Sequence, residues 1–139
     1  MARTRFLVEV LTPEGPVFNE EVEMVSTMTT VGSIGILAGH EPVLARLEPT
    51  ELRLYRSETD VVRYAQAEGY LQVSERGVLV LVEDATDPAA LNAAELAEHV
   101  AAARHAVEAA PAGSDEANRA ATDLRRSEAF LAIAGGSKH

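Results

Sequence analysis

Cysteine is absent from this chain of 139 residues. That removes disulfides, thiolate nucleophiles and zinc–thiolate sites from consideration, and it fits a reducing compartment. Tryptophan is absent too and aromatics total 4%, which is too few for a platform on which single-stranded nucleic acid stacks. Basic residues are scarce: 12 Lys and Arg stand against 22 Asp and Glu, for a net charge of −10. Such a chain repels phosphate backbones and anionic lipid surfaces, so neither nucleic acid nor direct membrane binding is expected. Long apolar runs are also missing. None approaches the ~18 residues of a transmembrane segment, and Val78–Val82 is of strand length. The opening MARTRFLVEV reaches Glu9 early and has neither the apolar stretch nor the small-residue cleavage site of a signal peptide.

What is present is 47% apolar, enough for a core in one domain or two small ones. Composition shifts at Thr86-Asp87-Pro88, which places a domain boundary between 1–86 and 87–139. Before it, β-branched and aliphatic residues are broken by Gly and Pro. Arg5–Leu11, Val22–Met28, Glu51–Arg56, Val61–Gln66, Gly69–Val73 and Gly77–Glu83 read as strands. Thr12–Pro16 reads as a turn cluster and Ser74-Glu75-Arg76-Gly77 as a hairpin turn. In Glu51–Arg56 the alternation puts Leu52 and Leu54 inward and Glu51, Arg53 and Tyr55 outward. Short strands at this spacing predict an all-β sandwich. Glu20, Glu21 and Glu23 read as a solvated strand edge or turn.

The second half is rich in alanine, 18 of the 53 residues from Asp87 to His139. Asn92 is placed to cap a helix with Glu95 three residues on. Leu96, Val100, Ala103 and Val107 then recur at helical spacing. Pro111-Ala112-Gly113 breaks that helix, and Ser114 caps a second, with Asp115 and Glu116 in its first turn. Ala117, Ala121, Leu124 and Leu131 form its stripe, and Gly135-Gly136 is expected to stop it. The short link implies an antiparallel α-helical hairpin. Alanine favours the helix but gains little on burial, so the helices form readily and dock weakly. Such a hairpin either caps the sandwich or changes partners.

No catalytic constellation emerges. His99 and His105 are six apart, outside the spacing of a helical ligand pair, and read as surface residues. His139 ends a Gly-Gly-Ser-Lys tail expected to be disordered. Glu83 and Asp84 lack an accompanying base, oxyanion donor or metal ligand. The stretch VGSIGILAGHEPVLARL, Val31–Leu47, reads as a tightly specified loop leading into a strand at Leu44–Leu47. Its glycines 32, 35 and 39 lack the following Lys-Ser or Lys-Thr of a phosphate loop, and serve turns and close backbone approach instead. His40 reads as a turn histidine bonding its own loop.

From Thr29 the run TTVGSIGILAGHEPVLARL resembles the hallmark loop of the ε subunit of bacterial F-type ATP synthases. AEGYLQVSERGVLVLVEDAT, Ala67–Thr86, resembles a second stretch of that family, and the alanine-rich hairpin fits as well. The likeness covers nearly the whole chain in order. Ala38 stands where the family commonly has Pro, and Glu68-Gly69 where it has Gly-Gly. Some relatives bind ATP through Ile/Leu-Asp-x-x-Arg-Ala at the start of the first helix. Here the matching residues are Leu91-Asn92-Ala93-Ala94-Glu95-Leu96, so Asn92 replaces Asp and Glu95 replaces Arg. A carboxylate in place of a phosphate-pairing cation opposes ATP, so no cofactor is expected.

The resemblance implies a non-catalytic rotor part at the foot of the central stalk, peripheral to the cytoplasmic face of the bacterial plasma membrane. Val31, Gly32 and Ser33 would lie toward the c-ring, and His40, Glu41, Pro42 and Val43 toward the γ subunit. The hairpin would hinder ATP hydrolysis when extended, with Arg119, Arg125 and Arg126 meeting acidic surface on the α/β catalytic head. The same arginines also read as solvated charges or ion pairs within the hairpin. Outside the resemblance, the chain reads as a free-standing interaction module with a sandwich and a helical arm.

Overall fold

The computed structural model describes residues 3–136; Ser137, Lys138 and His139 lie outside them. The chain divides into two compact units, Met1–Asp87 and Pro88–His139. The first is built from β1 (Phe6–Thr12), β2 (Gly15–Val22), β3 (Met24–Thr29), β4 (Gly32–Ile36), β5 (Val43–Leu47), β6 (Thr50–Tyr55), β7 (Val61–Gln66), β8 (Gly69–Ser74), β9 (Gly77–Val82) and β10 (Ala85–Thr86). The second holds a short 3-10 turn at Pro88–Ala90, α1 (Ala93–Ala109) and α2 (Asp115–Gly136).

The strands follow one hydrogen-bonded path, β10-β7-β6-β3-β5-β8-β9-β1-β2, with β4 on the other side of β3. The path is narrow where β3 meets β5. Only Thr29 faces Leu47 in register there, flanked by Thr30 N–H to Arg46 C=O and Glu48 N–H to Met28 C=O, both 3.0 Å. The sheet folds over at this crossing into two layers, and their inner faces close one core. Val25, Ile36, Leu52 and Leu54 come from one layer; Val8, Val10, Leu71, Val73 and Val80 come from the other. Alternation along each strand delivers these residues inward, and Leu52 and Leu54 are fully buried as their pattern requires.

Three of the hairpins share one turn chemistry. Thr12-Pro13-Glu14-Gly15, Thr29-Thr30-Val31-Gly32 and Ser74-Glu75-Arg76-Gly77 each begin with a hydroxyl residue and end with glycine, and the first and last residues of each pair across the turn. The hydroxyl accepts from the backbone N–H two residues on, at 3.2 Å in the first two turns and 3.3 Å in the third. This side-chain bond holds the two-residue turn and therefore the register of the strands beside it. Gly69 has a different role. A Cβ there would run into the backbone of Leu81, its neighbour on β9.

Several expectations are revised. The stretch Val31–Leu47 is not one loop: Gly32–Ile36 is strand β4, paired with β3 from Val25↔Ile36 to Thr29↔Gly32. Gly15–Val22 is a full strand, β2. Its Glu20 and Glu21 are exposed, but Glu23, just beyond it, is buried, with its N–H bonded to Tyr55 C=O at 2.7 Å. Glu51 lies on the face opposite the leucines, yet its side chain is only 8% exposed. Arg53 Nε donates to its Oε1 at 2.6 Å and Arg63 lies at 3.8 Å, while Oε2 has no hydrogen-bond partner.

In the second unit Asn92 caps α1, its side-chain oxygen accepting from Glu95 N–H at 3.1 Å. Ser114 caps α2 through Ala117 N–H, also at 3.1 Å. The helices pack against each other and are clasped by His99 Nε2 at 3.0 Å from Asp123 and Arg104 to Glu128 at 3.0 Å. Val100 and Ala103 are buried on α1 as their spacing suggests. On α2 the buried residues are Ser127, Phe130 and Ile133, whereas Ala117, Ala121, Leu124 and Leu131 are half-buried. The larger side chains, not the alanines, set which face is buried. Gly135-Gly136 does not stop the helix before it: α2 runs through both, since glycine lowers helix propensity without blocking the backbone.

Candidate functional surface

The Thr29 turn presents Val31 at its tip, 95% exposed. Thr29 Oγ1 accepts from Val31 N–H at 3.2 Å and donates to Gly32 C=O at 2.8 Å, so the apolar tip stands on a fixed base. Gly32 and Ser33 beside it are exposed. From there β4 runs to Ile36, and a second turn follows. His40 N–H closes this turn on Leu37 C=O at 3.1 Å with Gly39 at φ +82°, a backbone angle that suits glycine at the third position of a type II turn. His40 Nδ1 lies 2.7 Å from Glu41 C=O. A carbonyl only accepts, so Nδ1 carries the proton and the ring is held to its own loop. Glu41 and Pro42 are exposed, Val43 is half-buried, and β5 begins at Val43 opposite Val73.

The structure thus keeps Val31–Ser33 and His40–Val43 apart, at opposite ends of β4. Five strand residues at ~3.3 Å each put roughly 17 Å between them. Neither set holds a nucleophile–base pair. Among the described residues no group of three or more His, Asp or Glu is gathered for a metal ion, and no helix is long and apolar enough to cross a membrane.

A larger surface lies on the outer face of β5, β8, β9 and β1. Register lines up two rows across these strands: Leu44–Gln72–Leu79–Glu9 and Arg46–Tyr70–Leu81–Leu11. Leu44 is 72% exposed, and Tyr70, Leu81 and Leu7 are between 39% and 49% exposed. A cleft of about 700 Å³ opens on this face, lined by Leu7, Pro42 and Leu79 together with the polar Glu9, Gln72 and Arg76. Pro42 therefore joins the His40–Val43 loop to the apolar rows. The sequence carries a signal for this face in GVLVLV (Gly77–Val82), which is apolar at both parities. An antiparallel strand with one solvated face alternates instead.

The hairpin residues are placed differently. Arg119 and Arg125 are exposed on α2; Arg126 is half-buried and engaged with other residues. Asn92 spends its side-chain oxygen on the α1 cap, and Glu95 is exposed next to it.

One charged clamp marks the first unit. Arg56 Nε and Nη2 donate to the two oxygens of Glu20 at 2.9 and 2.8 Å, with the guanidinium 5.9 Å from the Phe18 ring centre. These bonds hold the Glu20 carboxyl below its ordinary pKa and raise Arg56. Tyr64 donates to Val17 C=O at 3.1 Å, and burial pushes its phenol above the usual value.

Residues 5–88 match the family model of the ATP synthase delta/epsilon chain β-sandwich domain. The ATP synthase epsilon chain of Synechocystis sp. is 33% identical over 94% of this chain and 96% of its own length. That of Priestia megaterium is 42% identical over 70% of this chain, a stretch that makes up 65% of the Priestia protein. Among solved structures, a chain of the Euglena gracilis mitochondrial ATP synthase superposes with a TM-score of 0.79 at 20% identity, over 93% of this chain and 81% of that one. A chain from the Tetrahymena thermophila central stalk and c-ring gives 0.60 at 18% identity, over 96% and 99%. Both solved structures share this fold.

Proposed function

The chain belongs to the ATP synthase delta/epsilon family, and on that footing we propose that it is a non-catalytic rotor subunit of a proton-driven F-type ATP synthase, coupling the γ subunit to the c-ring. The observation that carries this reading is the outer face of β5, β8, β9 and β1, with its exposed Leu7, Leu44, Tyr70 and Leu81 and with Pro42 lining its cleft. These four side chains, gathered on one sheet face and interleaved with Glu9, Arg46 and Gln72, call for a partner. The γ subunit lies on it and on His40, Glu41, Pro42 and Val43. The polar loops of the c-ring meet Val31, Gly32 and Ser33 at the far end of β4. With the two partners at the ends of one paired strand, torque passes through a stiff sheet and not through a hinge.

The hairpin is the regulatory part of this proposal. In an extended state Arg119 and Arg125, with Arg126 behind them, meet acidic surface on the α/β catalytic head and hinder ATP hydrolysis. No ATP is held on the hairpin, because Glu95 puts a carboxylate where the family motif has a phosphate-pairing arginine. The subunit works at the cytoplasmic face of the bacterial plasma membrane as a peripheral part of the complex.

Isothermal titration of the full chain with its own γ subunit tests the reading, repeated with His40→Ala and Val43→Asp. Tight one-to-one binding weakened by both substitutions is the expected result. No binding to correctly folded γ would remove the rotor role and leave an interaction module with another partner.

A further inference from the structure

The free edges of the strand unit are not alike. β2 carries Pro16, Glu20 and Glu21 and a register shift between Val10 and Leu11 of its partner strand. β10 is two residues long. Both are features that discourage a further strand. β4 has none of them: VGSIGILA, Val31–Ala38, contains no charge and no proline. Gly32, Ser33 and Gly35 are exposed, and a Cβ at Gly35 would meet nothing within 4 Å.

The register says which groups face outward. Thr29↔Gly32 closes a two-residue turn and so is a hydrogen-bonded pair. Alternation makes Thr27↔Ile34 and Val25↔Ile36 bonded as well, and leaves Met28↔Ser33 and Ser26↔Gly35 as the non-bonded pairs. Ser33 and Gly35 therefore turn their N–H and C=O groups away from β3. The same alternation on β3 sends Met28 C=O to Glu48 and Thr30 N–H to Arg46, on the opposite side.

We propose that β4 is a strand-addition edge, where an extended backbone segment of the stalk partner that contacts His40–Val43 bonds to the outward N–H and C=O groups of Gly35 and Ser33, the Ser33 side chain being left to the c-ring. This rests on the stalk reading above. Three observations choose that occupant. The edge is continuous with the loop at His40–Val43, so a chain already seated there reaches it without a second encounter. The edge is uncharged in a chain of net charge −10, which suits a neutral or basic segment. Two outward-facing residues offer too few bonds to hold a second copy of this acidic chain by themselves.

Amide hydrogen exchange on the full chain, alone and bound to γ, reads the proposal directly. In the complex the Ser33 and Gly35 amides slow at least tenfold. Gly35→Pro removes the outward N–H at a position where a Cβ meets no neighbour; it leaves the circular dichroism spectrum and melting temperature of the free chain near those of the parent and weakens the complex at least tenfold. Gly35→Lys, which keeps the N–H and adds an edge charge, weakens it as well and serves if the proline variant misfolds. A complex that forms while Ser33 and Gly35 exchange as in the free chain overturns strand addition and leaves the stalk reading intact. Absence of any complex overturns both. Slowing in the chain alone at high concentration would assign the edge to a second copy and overturn the occupant named here.

Discussion

The Thr27 hydroxyl donates to Gln66 Oε1 at 2.9 Å in the interior of the strand unit, where Gln66 is fully buried. The Gln66 amide in turn donates to Glu48 C=O at 2.8 Å. A glutamine can sit there only because both ends are bonded. Thr27→Val leaves Oε1 without a donor and should cost about 1–3 kcal/mol, read as a lower urea midpoint. Adding Gln66→Leu to it should cost less than the sum of the two single changes, because the groups left unpaired are shared.

The Glu20–Arg56 clamp gives a pH dependence whose sign follows from its geometry. The folded chain lowers the Glu20 pKa, chiefly through the hydrogen bond from Arg56. Stability from this group is therefore present above the ordinary glutamate value and is lost as pH falls through the depressed folded value. A carboxyl titration followed by NMR should place Glu20 below the ordinary value, and Arg56→Met should move it back. An unchanged Glu20 in the variant would detach the shift from this pair.

Tyr64 behaves in the opposite sense. Burial raises its phenol pKa, opposed by Arg56, so its contribution holds up to the ordinary tyrosine value and fades as pH rises through the folded one. Tyr64→Phe, which leaves Val17 C=O without its donor, should flatten the alkaline limb of the stability curve. Thermal melts from pH 8 to pH 11 measure this.

Gly69 and Gly35 make a matched pair of tests. Gly69→Ala forces a methyl group into the Leu81 backbone and should destabilise by roughly 1–3 kcal/mol as an overpacking change. Gly35→Ala meets open space and should stay within about 0.5 kcal/mol of the parent. Equal effects at the two positions would refute the close approach of β8 to β9.

Val31→Asp separates stability from coupling. The side chain is 95% exposed, so the free chain should melt as before. In the reassembled enzyme the charge faces the c-ring in our proposal and should lower proton-driven ATP synthesis while leaving γ binding intact. Unchanged synthesis would take the tip out of the interface.

Much of the fold was legible because alternation and caps are local signals. Leu52 and Leu54 faced inward, and Asn92 and Ser114 capped their helices, since each depends on residues within a few positions. Strand β4 was hidden for an equally local reason. Three glycines and a serine in GSIGILAG weaken the β signal, and pairing with β3 overrides it. The turn code that frames β4 was nevertheless present: Ser74-Glu75-Arg76-Gly77 read as a hairpin, and Thr29-Thr30-Val31-Gly32 has the same hydroxyl-first, glycine-last form. The outer apolar face was written into GVLVLV, where the second parity of apolar residues has no use in a solvated layer. What spacing could not supply was long-range pairing, such as the clamp of Glu20 to Arg56 or the seating of Gln66 on Thr27.

The parallel pairing of β1 with β9, Val8 opposite Val78, bears on the order in which the molecule is made. The first strand leaves the ribosome with one of its two neighbours, β2, following at once, and the other still to be synthesised. Until Gly77–Val82 emerges, one edge of β1 stays open and the core lacks a wall. Most of the other strand pairs join near neighbours in sequence, so the late closure of this one pair should dominate the folding time. The helical hairpin, whose contacts are local, has no such wait. During synthesis the sheet is completed only shortly before the hairpin appears, and a ribosome stalled before Gly77 would hold a chain whose first strand is still open to wrong partners.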